Sequence, residues 1–116
     1  MPITWFSTVV DCHDPEALAA FWCQVLGYQV VFRNEREVDI APGPASFPGL
    51  AFLRADNRKT VKNRLHIDVR VGQENIEAEV KRLTELGGTY LHRAQQGPVH
   101  WWITMADPEG NEFCIT

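Results

Sequence analysis

Apolar side chains recur along this chain with two periods, one typical of strands and the other of amphipathic helices. Aromatic and β-branched residues near the start predict a strand over residues 3–11. An amphipathic stretch follows, with Asp14 as N-cap, Pro15 at the first helical position and Gly27 suited to a left-handed C-cap. The pattern therefore predicts a helix over residues 15–26.

Three further strands are predicted in the first half. They cover residues 28–32, 37–41 and 50–54, and a turn-rich loop with three prolines separates the last two. The first half of the chain therefore has the element order βαβββ.

The second half repeats this order. Strict apolar–polar alternation predicts a strand over residues 65–71, with Leu65 on its apolar face. Ile76, Val80 and Leu83 then define one face of a helix that ends at Gly87. The remaining predicted strands cover residues 89–92, 100–105 and 112–115.

The two halves also match in register. The pair Leu26–Gly27 and the pair Leu86–Gly87 lie sixty residues apart (86 minus 26). A period of this size with the same element order indicates a duplication. We therefore predict an α+β fold in one domain, residues 1–116, made of two modules at about 1–56 and 63–116.

Composition and charge limit the kinds of partner that we expect this protein to bind. The chain is 45% hydrophobic and 22% charged, which is typical of a globular domain. A net charge of −4 without a basic stripe argues against nucleic acid and membrane surfaces as partners. No apolar run approaches the roughly 20 residues of a membrane span, and the start does not resemble a signal peptide, so we expect a cytoplasmic protein.

The three cysteines do not suggest a disulfide framework. Cys12, Cys23 and Cys114 are odd in number and form no Cys-x-x-Cys pair. We interpret them as small buried thiols.

Four stretches carry a recognisable combination of motifs: residues 14–22 with 26–28, residues 63–69, residues 86–87 and residues 107–113. Together they resemble the vicinal oxygen chelate superfamily, and within it the small glyoxalase-like or bleomycin-resistance-like domains. The resemblance covers nearly the whole chain. It implies that the two modules form one curved mixed sheet around a cleft, with the helices outside, but it does not select a reaction because this fold hosts many functions.

The resemblance also implies positions for metal ligands, on the first and last strands of each module. In the second module these positions hold His66 and Glu112, both good ligand types. In the first module, the repeat aligns Phe6 with His66 and Ala51 with Glu112, so half of the ligand set is apolar. The sequence therefore leaves two alternatives open, one divalent metal ion on an incomplete ligand set at His66 and Glu112, or a cleft without metal.

Strand alternation independently predicts a polar cleft wall in the second module. His66 and Asp68 share one strand face, and His100 and Trp102 share another. If the last strand joins them, Glu112 and Cys114 face the same way. We predict that Asp68, His100 and Trp102, with Phe6 from the first module, contact a small-molecule substrate, and Asp68 or His100 could complete a ligand set.

Two functions remain open at this point. The first is a glyoxalase-like lyase or isomerase in which Glu112, alone or with a metal at His66, removes a proton beside a carbonyl group. The second is a metal-free binding protein that sequesters or senses a hydrophobic small molecule such as an antibiotic. For both, the resemblance implies a homodimer, and exposed edge strands provide a physical reason for pairing.

Overall fold

The computed structural model describes residues 2–116, which form two compact units. The first unit extends to Arg58, and the second runs from Lys59 to Thr116. Each unit contains one α-helix and four strands in the order βαβββ, and a short 3-10 helix, Gln73–Asn75, precedes the α-helix of the second unit. The α+β class and the tandem modules are therefore confirmed.

The elements have the following bounds. The first unit contains β1 (Ser7–Cys12), α1 (Pro15–Leu26), β2 (Gln29–Arg33), β3 (Glu37–Ala41) and β4 (Gly49–Arg54). The second contains β5 (Ile67–Val69), α2 (Ile76–Glu85), β6 (Thr89–Gln96), β7 (His100–Ala106) and β8 (Glu112–Ile115). Among residues 2–116, no helix is long and apolar enough to cross a membrane.

The strands form two four-stranded sheets, one in each unit, where one curved mixed sheet was expected. Their orders are β1-β4-β3-β2 and β5-β8-β7-β6, so the duplication seen in the sequence extends to topology. In each sheet the first and last strands of the module pair in parallel, and the other neighbours are antiparallel. This parallel pair is what brings the two ends of each module together.

Helix α1 has the bounds that its capping signals predict. The Asp14 carboxylate accepts a hydrogen bond from the Ala17 amide at 3.2 Å, and Gly27 takes the left-handed conformation with φ of 68°. The helix buries Leu18 and Phe21 against the sheet strands β3 and β4. Local rules therefore fix this element, because both caps lie within a turn of the helix ends.

The core of the second unit lies on the α2 side of its sheet. Its fully buried side chains are Ile76, Leu83, Met105, Phe113 and Ile115. Because successive side chains of a strand point to opposite faces, burial of Phe113 and Ile115 turns Glu112 and Cys114 to the other face of β8. That second face carries the candidate site.

Several strand ends differ from the predicted ones, most of all in β1, in β5 and in β6, which continues to Gln96 rather than ending at residue 92. The first strand begins at Ser7 rather than residue 3, because its partner β4 begins only after Pro48, which has no amide hydrogen for the ladder. Phe6 lies just before the strand and is 72% exposed. The predicted strand over residues 65–71 shortens to β5, since its partner β8 has four residues. Leu65, predicted on the apolar face, is instead 84% exposed.

Candidate functional site

The parallel pair β5 and β8 brings three potential metal ligands together. Asp68 is the direct neighbour of Cys114 across this pair. His66 stands two residues before Asp68, the spacing that keeps side chains on one strand face. His66, Asp68 and Cys114 each offer one ligand atom, and these atoms all lie within 4.8 Å of one another.

The contacts within this cluster are weak. The Nε2 atom of His66 lies 3.3 Å from Oδ1 of Asp68, whose side chain is 66% exposed. The Cys114 thiol is free and half-buried, and its sulfur lies 3.5 Å from the Thr104 hydroxyl oxygen. Exposure leaves Asp68 free to change rotamer, so the cluster is able to adjust to a ligand.

A cavity of about 220 Å³ opens beside this cluster. The rings of His100 and Trp102, which both lie on β7, form its aromatic side, with centroids 5.3 Å apart and planes inclined by 40°. The residues lining the cavity are His66, Asp68, Gln96, His100, Trp102, Cys114 and Thr116. The structure thus brings together four residues that the sequence suggested for the site: His66, Asp68, His100 and Trp102.

Glu112 has different partners from those that the sequence suggested. Its Oε2 atom accepts a hydrogen bond from the Lys59 ammonium at 2.9 Å, and its Oε1 atom accepts one from the Asn63 amide, also at 2.9 Å. The side chain is only 16% exposed. Within residues 2–116, the cluster of close ligand atoms contains Cys114 rather than Glu112.

These contacts also set the ionisation of Glu112. Burial acts to raise the pKa of this carboxyl group, but the hydrogen bonds from the Asn63 amide and Lys59, with the Lys59 charge, outweigh it. The pKa of Glu112 is therefore lowered from its ordinary value. No local sequence pattern marks Lys59 and Asn63 as partners of a residue that follows them by about fifty positions.

The first unit contains the two remaining positions. Phe6 precedes β1, and its ring lies 6.3 Å from that of Phe47. Ala51 is buried on β4, where its neighbour on β3 is Asp39. Neither Phe6 nor Ala51 offers an atom that binds a metal.

Asp39 is a candidate that sequence reasoning missed. Its Oδ1 atom is buried without a hydrogen-bond partner among the described residues. Burial, a hydrogen bond shared with Glu37 and the charge of Glu37 raise the pKa of Asp39 to about 7. The available signal was the alternation on β3, where Glu37 and Asp39 flank the buried Val38.

The four positions at which the resemblance implies ligands do not, by themselves, fit a resident metal ion. Two of them, Phe6 and Ala51, are apolar, and the Glu112 carboxylate already accepts a hydrogen bond on each oxygen. A catalytic zinc site uses three protein ligands and an open position. Among residues 2–116, a set of close ligand atoms that reaches this number is formed by His66, Asp68 and Cys114.

The fold, built from two βαβββ modules, is that of the vicinal oxygen chelate superfamily. Residues 7–116 match the family model of the glyoxalase-like domain, and the chain belongs to that family. Comparison with curated protein sequences gives no match.

Solved structures support the fold. An enzyme of the glyoxalase/bleomycin resistance protein/dioxygenase family from Burkholderia phytofirmans PsJN superposes with a TM-score of 0.79 at 20% identity, covering 97% of each chain. A second structure is a mutant of the fosfomycin resistance protein FosX from Listeria monocytogenes, solved with Mn(II) and 1S,2S-dihydroxypropylphosphonic acid. It superposes with a TM-score of 0.78 at 12% identity, covering 99% of this chain and 89% of FosX. A glyoxalase-related enzyme from Fulvimarina pelagi superposes with a TM-score of 0.71 at 22% identity, covering 95% of this chain and 84% of that chain. At these identities the likeness concerns the fold alone.

Proposed function

We propose that this glyoxalase-like domain binds a small, flat and partly cationic organic molecule in the cavity of its second unit. One observation carries the proposal: the ring pair of His100 and Trp102 and the carboxylate of Asp68 line the same cavity. The aromatic side offers a stacking surface, and Asp68 offers negative charge.

The chemistry of the lining favours a cation. Aromatic ring faces attract cations that lie within about 6 Å of the ring centroid, most strongly at tryptophan. The exposed Asp68 carboxylate adds a formal charge that attracts the same ligand. Gln96 and Thr116 supply hydrogen-bonding groups that fix the ligand's orientation. The FosX structure, solved with a small organic acid and Mn(II), supports only the broader class, a protein that acts on small molecules.

The proposal is tested by thermal shift and tryptophan fluorescence with two flat probes of similar size, proflavine as the cation and anthracene sulfonate as the anion. We expect proflavine to bind and anthracene sulfonate to bind more weakly. Trp102→Leu should weaken proflavine binding about tenfold, since a desolvated cation–π contact contributes roughly 1–2 kcal/mol.

Trp101→Phe provides the matched control. Trp101 lies on the opposite face of β7, where the Arg93 guanidinium sits 4.4 Å from its ring centroid, so its replacement should leave proflavine binding unchanged. If neither probe stabilises the protein, or if Trp102→Leu binds proflavine as the unaltered protein does, the proposal is wrong.

A second candidate is the lyase or isomerase in which Glu112, alone or with a metal at His66, removes a proton beside a carbonyl group. One observation favours it: the pKa of Glu112 is lowered, so its carboxylate is ionised at neutral pH, as a base must be. To react, the carboxylate would exchange its contacts with Lys59 and Asn63 for substrate. Glu112→Gln separates the two candidates, because it should abolish turnover of a carbonyl substrate but leave proflavine binding intact.

We further propose a homodimer. Strands β2 and β6 lie at the edges of their sheets and expose large apolar side chains, among them Val31, Phe32, Tyr90 and Leu91. Sedimentation at micromolar concentration tests this, and a monomer would exclude it. A cytoplasmic location and the absence of nucleic-acid and membrane partners stay predictions.

A further inference from the structure

We propose that His66, Asp68 and Cys114 bind a divalent metal ion such as zinc or cobalt. This site shares His66 with the pair that the resemblance implies, His66 and Glu112, but uses Asp68 and Cys114 instead of Glu112. Asp68 and Cys114 each stand two residues further along β5 and β8 than the two positions that the resemblance implies. The site shares its cavity and the Asp68 carboxylate with the proposed cationic ligand, so the two would compete, and metal binding requires no organic ligand.

Backbone register provides the first step of the argument. Asp68 and Cys114 are direct neighbours across a parallel strand pair, so their side chains emerge side by side on one face. On the opposite face, the buried Phe113 and Ile115 hold β8 against the core. Core packing of β8 therefore fixes the position of Cys114, and strand pairing places Asp68 beside it.

The distances provide the second step. Zinc binds nitrogen and oxygen at about 2.0–2.1 Å and sulfur at about 2.3 Å, so tetrahedral geometry puts ligand atoms roughly 3.3–3.6 Å apart. His66 Nε2 and Asp68 Oδ1 already lie 3.3 Å apart. All three ligand atoms lie within 4.8 Å of one another, and a rotamer change of the exposed Asp68 covers the remaining difference of about 1 Å.

The partners of Glu112 and Cys114 provide the third step. Both oxygens of Glu112 accept strong hydrogen bonds, one of them from an ammonium group. Cys114 has the Thr104 hydroxyl 3.5 Å from its sulfur, a weak contact that a metal ion would replace at little cost. Binding releases the proton of the Cys114 thiol, since the thiolate is the ligand.

The ligand types select the metal. Imidazole and thiolate suit zinc and cobalt, whereas manganese and magnesium prefer oxygen ligands. Three protein ligands leave a fourth position open, and it faces a cavity that His100 and Trp102 also line. That position would take water or a polar group of an organic ligand.

Cobalt(II) titration of the full chain, without organic ligand, tests the site. Cobalt bound by a thiolate gives a charge-transfer absorption band in the near ultraviolet. We expect one equivalent of cobalt to produce this band and zinc to remove it. Cys114→Ser should abolish the band and weaken cobalt binding at least tenfold, because even an outer contact of a metal site changes affinity by about 10–100-fold.

Two variants serve as matched controls. Cys23→Ser removes another half-buried thiol, located on α1 in the first unit, and should leave the band unchanged. Glu112→Gln should also keep the band and the affinity. Asp68→Asn changes an exposed side chain, so it retains the fold even if Cys114→Ser does not, and it should weaken cobalt binding at least tenfold.

Several outcomes would overturn the proposal. Absence of stoichiometric binding would do so, as would a band that persists in Cys114→Ser or disappears in Cys23→Ser. Loss of binding in Glu112→Gln, with Asp68→Asn unaffected, would assign the metal to His66 and Glu112 instead. If cobalt binds as expected while proflavine does not bind, the proposed function fails and the metal site stands.

Discussion

Asp39, a half-buried carboxyl group of the first unit, gives the sharpest test of the electrostatics described above. The pKa of Asp39 rises from 3.8 to about 7 on folding, chiefly because of burial, then because of the hydrogen bond and charge of Glu37. Since the folded value is above the unfolded one, the contribution of Asp39 to stability is fully present below about pH 4 and is lost as pH rises through about 7. The difference sets a ceiling of roughly 4 kcal/mol, and partial solvation of the carboxyl group reduces the expected loss to about 2 kcal/mol.

The variant Asp39→Asn removes the ionisable group and keeps its shape. It should raise the free energy of unfolding by about 1–2 kcal/mol at about pH 8, and by much less at about pH 4, where Asp39 is protonated in the folded protein and nearly half protonated in the unfolded chain. Urea unfolding at both pH values measures this difference. Carbon-13 titration of the carboxyl group gives the pKa directly, and Glu37→Gln should lower it. A stability change that is the same at both pH values, or a pKa near 4, would refute the reasoning.

Three further predictions concern stability, measured by urea unfolding. Lys59→Met removes the half-buried ion pair with Glu112 and should cost about 1–2 kcal/mol; unchanged stability would mean that the pair contributes nothing. Gly49→Ala places a Cβ atom 2.6 Å from a backbone carbonyl oxygen of β3 and should cost at least about 2 kcal/mol, which a variant of normal stability would contradict. Phe113 is fully buried, so Phe113→Ala should lower the free energy of unfolding by about 3–5 kcal/mol. Phe6 is exposed, so Phe6→Ala should change it by less than about 0.5 kcal/mol, and equal effects would contradict this difference in burial.

The sequence predicted most of the elements because their signals are local. Caps at Asp14 and Gly27 defined both ends of α1, and alternation defined β3 and β8 to the residue. The duplication then predicted that both modules have the same element order. These features needed no knowledge of which residues meet in space.

Strand ends and side-chain partners were harder to predict because they depend on distant parts of the chain. The start of β1 is set by β4, which follows it by more than forty positions and begins only after Pro48. The partners of Glu112 come from the polar connection that contains Lys59 and Asn63. Alternation assigned Glu112 to the correct strand face, but a strand face holds several neighbours, and alternation does not choose among them.

The relation between Glu112 and Cys114 shows how one strand can support different sites. Both lie on the same face of β8, because Phe113 and Ile115 are buried on the other. Lys59 and Asn63 donate hydrogen bonds to the two oxygens of Glu112, whereas Cys114 lines the cavity together with His66 and Asp68. Strand β8 thus carries a carboxylate at position 112 and, two residues later, a thiol, which prefers softer metals. The fold fixes where a site can form, whereas the partners of each side chain decide its chemistry.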